Sequence, residues 1–151
     1  MPITKKKTTT KKTKTAVATK AKRVVKKVVK KTVKKAEIKT LKDSIITAMK
    51  NKNADEIVVI DFKKIKNHFC DFFIICSANS GKQIESIADE IEIQSKKNFG
   101  VYPKHKEGFE NTEWVLLDFI DIVVHIFKAE SRAFYNLEQL WADADFDYIK
   151  Q

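Results

Sequence analysis

Four short stretches decide what this chain can fold into: 55–62 (DEIVVIDF), 71–78 (DFFIICSA), 113–119 (EWVLLDF) and 121–128 (DIVVHIFK). Each is rich in β-branched and aromatic residues, so each reads as a strand. Their near-continuous apolar character means that the sheet they form is covered on at least one face and partly on the other. Helical spacing surrounds them. Ile38, Leu41, Ile45 and Met49 predict an amphipathic helix over about 37–52. Ser80 to Gln83 has the S-x-x-Q form of a capping box, with Ile84, Ile87, Ala88 and Ile91 as the buried stripe behind it. Gly100, Pro103 and Gly108 end that helix, and the last two strands lie close enough for a hairpin. A final helix is expected from about Glu130 to Trp141, packed by Phe134, Leu137, Leu140 and Trp141, with Tyr135 facing outward. The order is α-β-β-α-β-β-α. The fold class is α/β, a mixed sheet flanked by helices, in which the central strand–helix–strand crossover supplies one parallel pairing.

Charge divides the chain in two. Residues 1–35 carry 15 of the 30 Lys and Arg and none of the 20 Asp and Glu, a balance of +15 against −5 for the remainder. Without aromatic residues the first segment buries too little apolar surface to offset its ordering entropy, so 1–35 is expected to be a disordered basic arm and 36–151 the folded domain. Val24, Val25, Val28, Val29 and Val33 would line one side of a helix formed on an anionic partner. The arm's candidate RNA contacts are Lys20, Lys22, Arg23, Lys26, Lys27, Lys30, Lys31, Lys34 and Lys35, because dense positive charge is drawn to phosphate polymers. No run is long enough for a membrane span and no signal-peptide core is present. Cys70 and Cys76 form no CxxC pair. A cytoplasmic protein with two reduced thiols is expected.

Catalytic signatures fail one by one. SANSGKQ sits where a phosphate loop would, between strand and helix, but the pattern requires Gly where Cys76 stands and Ser or Thr where Gln83 stands. Asp118 and Asp121 are spaced as paired metal acids, yet they flank a turn in which Asp is favoured for turn geometry. Cys70 and His68 make a weak nucleophile pair with no third group to orient the base. His125 lies on an apolar strand face. No enzyme activity, cofactor or metal is expected.

In order and spacing, DFFIICSANSGKQIESIADEIE, EGFENTEWVLLDFIDIVVHIF and ESRAFYNLEQLW resemble the Iojap-type ribosomal silencing factors, over about 36–145. One departure is the hairpin turn, where Ile120-Asp121 replaces the family's usual Gly-Asp. Ile tolerates positive φ poorly, so a different turn type is expected. The resemblance implies a nucleotidyltransferase-like fold without its active site and a non-enzymatic role. That role is docking on protein L-fourteen of the large ribosomal subunit, which blocks joining of the small subunit and represses translation. It also implies homodimers in the free state. Carried over by position, the partner-binding residues are Glu107, Gly108, Trp114, Asp118, Asp121, His125, Glu130, Arg132 and Tyr135. A basic ribosomal protein favours acidic groups beside an aromatic anchor. The rival reading is a general RNA-binding module acting through the arm, which lacks aromatic residues for base stacking.

Overall fold

The computed structural model describes residues 41–151; the arm and its candidate RNA contacts lie outside the described residues. Residues 41–51 form helix α1. Then follow β1 (Asp55–Asp61), β2 (Phe72–Ala78), α2 (Gly81–Phe99), β3 (His105–Glu107), β4 (Trp114–Asp118), β5 (Ile122–Lys128), α3 (Ala129–Tyr135), α4 (Leu137–Leu140) and β6 (Asp145–Tyr148). The six strands make one mixed sheet in the order β3-β4-β5-β2-β1-β6. The pairing of β2 with β5 is parallel and the others are antiparallel. The parallel partner of β2 is thus the second strand of the late hairpin, with β4 placed one position further out.

Strand periodicity explains the continuous apolar runs. Side chains alternate between faces, and here both faces are apolar. Phe72, Ile74, Cys76 and Ala78 of β2 join Val59, Val115, Leu117, Ile122, Val124 and Ile126 in the core beneath α1 and α2. Phe73 and Ile75 point to the opposite face with Val58, Ile60, Val123 and Phe127, where Leu137, Trp141 and Phe146 pack on them.

The capping box of α2 forms with its return bond shifted by one residue, to Asn79 and not to the N-cap Ser80. The Gln83 backbone N–H donates to Ser80 Oγ at 3.2 Å, and Gln83 Oε1 accepts from the Asn79 N–H at 2.9 Å. Gln83 Nε2 also donates to the carbonyls of Lys52 and Asn53, binding the end of α1. The residue that spoils a phosphate loop therefore serves as a brace. Gly100 closes the helix at φ 65°, a left-handed conformation in which a Cβ is unfavourable.

The structure corrects three expectations. Two strands go beyond the four expected: β3 and the edge strand β6, which pairs with β1. The single helix from Glu130 to Trp141 is two helices, because Asn136 adopts φ 42° and ends α3 while its side chain caps α4. That break re-aims the apolar residues: Leu137 and Trp141 pack on the sheet, whereas Phe134 is 82 % and Leu140 69 % exposed. Tyr135 faces outward as expected, 51 % exposed.

The hairpin turn holds a residue in an unfavourable conformation. Ile120 sits at φ 75° and Asp121 is not in positive φ, and the bond from the Asp121 N–H back to the Phe119 carbonyl makes Ile120 the centre of a three-residue γ-turn, a strained form. The turn is closed by hydrogen bonds from the Phe119 N–H to the Ile122 carbonyl and from the Asp121 N–H to the Phe119 carbonyl, at 2.8 and 3.0 Å. Asp118 Oδ1 accepts from the Ile120 N–H at 2.7 Å.

Candidate docking surface

Directly opposed residues of antiparallel strands share a face. The register sets His105 opposite Asp118 and Glu107 opposite Leu116. It also sets Trp114 opposite Phe127, Leu116 opposite His125 and Asp118 opposite Val123. In the parallel pair, Phe73 lies beside Val123 and Ile75 beside His125. One sheet face therefore carries Glu107, Trp114, Leu116, Asp118 and His125 together. Leu137 and Trp141 pack against part of this face. Toward β3, β4 and β5 it remains an open cavity of about 630 Å³, lined by Phe69, Phe73, Lys104, His105, Leu116, Asp118, Ile120, Val123 and His125.

Trp114 is the aromatic anchor beside this cavity. Half-buried at the start of β4, it stacks on Phe127 at 4.8 Å and meets Tyr135 at 4.8 Å between ring centroids. Its Nε1–H donates to His125 Nδ1 at 3.2 Å. Gly108 holds the strand entry close: at φ 86°, an added Cβ would lie 1.8 Å from the Trp114 carbonyl oxygen. His125 is walled in by Phe73, Trp114 and Phe127. Burial pushes its pKa down to about 4, so it is neutral at physiological pH.

The remaining expected residues are placed as follows. Glu107 is exposed on β3. Asp118 lines the cavity and braces the turn. The Asp121 carbonyl accepts from the Asp71 and Phe72 N–H groups, tying the hairpin tip to the start of β2. Glu130 lies in the first turn of α3, 3.8 Å from Lys128. Arg132 is brought to a different place. Its guanidinium donates twice to Glu138, and to the Glu56 carbonyl and Ser77 Oγ. It borders a separate depression with Tyr148 and Glu56, and in this fold it clamps α3 and α4 to β1 and β2.

Sequence reasoning missed Phe69, Leu116, Ile120, Lys104 and His105. Leu116 was within reach, since period-two alternation places it between Trp114 and Asp118. Phe69, 64 % exposed in the β1–β2 loop, carries no periodicity that would have shown it.

The thiols do not form a nucleophile. Burial raises both Cys70 and Cys76 to about 12. His68 is engaged instead with the Ile65 carbonyl and Asp71. Among the described residues, no group of three or more His, Cys, Asp or Glu could hold a metal, and no helix is long and apolar enough to cross a membrane.

Residues 34–151 match the model of the family described as "Ribosomal silencing factor during starvation". The chain is 43 % identical over 104 residues to the ribosomal silencing factor RsfS of Bacillus subtilis, covering 67 % of this chain and 86 % of that protein. It is 36 % identical over 102 residues to the chloroplastic protein Iojap of Zea mays, covering 67 % of this chain and 43 % of that one. A solved structure from Bacillus halodurans superposes with a TM-score of 0.62 at 36 % identity, covering 75 % of this chain and 99 % of its own. With a family match that spans the whole described sheet and its helices, the chain belongs to the RsfS family of ribosomal silencing factors.

Proposed function

We propose that this protein represses translation by docking the open face of its sheet on the large ribosomal subunit, at the interface protein L-fourteen, and so keeps the small subunit from joining. The observation that carries this reading is the half-covered apolar face, with Trp114 held at its edge by Phe127, Tyr135 and His125. A partly desolvated aromatic anchor with acidic groups at its rim, here Glu107 and Asp118, is the form that a hot spot for a basic protein takes. The action is steric. It needs no catalytic group, and ribosomes of the cytoplasm are its place of work. Basic residues of the arm, Lys20 to Lys35 among them, add contacts to ribosomal RNA that offset the repulsion between an acidic domain and phosphate.

The test is gradient co-sedimentation of the full-length chain, residues 36–151 and the Trp114→Ala variant with purified subunits, followed by addition of small subunits. The 36–151 domain is expected to travel with large subunits and stop their joining, and Trp114→Ala to lose both. Binding only by the full-length chain, and equally to both subunits, would instead establish a general RNA-binding module working through the arm.

A further inference from the structure

Indole N–H only donates. The contact from Trp114 Nε1 therefore fixes His125 Nδ1 as an acceptor, and the proton of the neutral ring must reside on Nε2. That Nε2–H is buried and has no hydrogen-bond partner among the described residues, in a side chain only 4 % exposed. An orphaned buried donor costs folding free energy. The ring holding it walls the open cavity whose other sides are the largely apolar Phe69, Phe73, Leu116, Ile120 and Val123.

We propose that His125 Nε2–H is a recognition donor, and that the docking partner inserts an apolar segment into this cavity whose backbone carbonyl oxygen accepts the bond. An apolar side chain matches the cavity walls but offers no acceptor, so the oxygen comes from the main chain of the same segment. Lys104 and His105 line the cavity as well as Asp118, but a carboxylate at Nε2 would be stripped of water beside Phe73 and Val123, a cost that a neutral carbonyl largely avoids. Nε2 is shielded from solvent, so the partner reaches it by displacing a side chain at the cavity wall. The inference rests on the docking reading above. It adds the chemistry of the partner segment and a stated role for His125: a donor left unsatisfied in the free protein and satisfied in the complex.

Two variants separate the nitrogens. His125→Asn keeps an acceptor for Trp114 near the Nδ1 position and removes the Nε2 donor; His125→Gln places an amide N–H near Nε2. Affinity of the full-length variants for purified large subunits is measured together with their thermal midpoints. His125→Asn is expected to bind about ten- to a hundredfold more weakly, and His125→Gln to stay within about threefold at a comparable midpoint. Wild-type binding by His125→Asn, or equal weakening of both variants together with a lowered midpoint, would overturn the proposal. Should His125→Asn fail to fold, the imidazole N–H resonance of the wild-type chain is followed on adding isolated L-fourteen. A downfield shift of the Nε2 proton supports the bond, and an unmoved resonance in the formed complex overturns it. Absence of any wild-type binding to large subunits would remove the docking reading itself, an outcome distinct from the others.

Discussion

At residue scale, the costs sit where the face is built. Ile120 occupies a left-handed conformation that disfavours a β-branched side chain by about 1–2 kcal/mol, while half its surface is exposed and contributes little packing. Ile120→Gly is accordingly expected to raise unfolding free energy by about 1 kcal/mol in denaturant titrations. A loss of stability would show that Ile120 packing outweighs the backbone strain. His125 makes the second residue-scale prediction. Its folded pKa of about 4 lies below the unfolded value near 6.5. Between those pH values the unfolded chain binds the extra proton, so stability is greatest above pH 6.5, falls as the solution is acidified, and levels off below pH 4. The full effect amounts to about 3 kcal/mol. Melting curves at pH 7 and pH 5 are expected to separate more for wild type than for His125→Phe; an identical pH response would refute it.

At element scale, the helix break at Asn136 and the Arg132 clamp are one device. Ending α3 with a left-handed residue turns α4 so that Leu137 and Trp141 reach the sheet. Arg132 then holds the two helices to β1 and β2 through Glu138, the Glu56 carbonyl and Ser77. Removing it strands a buried Ser77 and a mostly buried Glu138. Arg132→Ala is expected to lower stability by about 2–4 kcal/mol, against less than about 0.5 kcal/mol for Glu130→Ala, whose contact to Lys128 is exposed. Equal effects of the two, measured by chemical denaturation, would contradict the clamp. These features also mark where the sequence stops being legible. The four apolar runs declared their strands because burial on both faces leaves no other reading of DFFIICSA or DIVVHIFK. Strand β3 is three exposed residues, and β6 alternates Asp with aromatic residues. Only pairing with a neighbour makes either a strand, and pairing is not written locally. Asn136 in a left-handed conformation is likewise imposed by tertiary contacts on a segment whose periodicity reads as continuous helix. Of the candidate surface, Trp114, Asp118 and His125 followed from resemblance and share a face by strand register; Phe69 came from a loop that has no period.

At the scale of the whole molecule, a domain of charge −5 follows an arm of +15 in one sequence. If about six arm cations contact phosphate, the logarithm of the affinity for large subunits is expected to fall with the logarithm of salt at a slope near −4 to −5 more negative than that of residues 36–151 alone. Superimposed binding curves at several salt concentrations would leave the arm without a binding role.

The parallel junction of β2 with β5 has a kinetic consequence. Phe72 meets Ile122, and the two lie some fifty positions apart in the chain, so the centre of the sheet is a long-range contact, exceeded in separation by the edge pairing of β1 with β6. The β1–β2 and β4–β5 ribbons close over short loops and form early, whereas their union must wait for a large loop to close around α2. Until then each ribbon bares a strand edge made of the most apolar segments in the protein. The same residues that complete the sheet are thus, during synthesis or refolding, the ones most apt to pair with the wrong molecule.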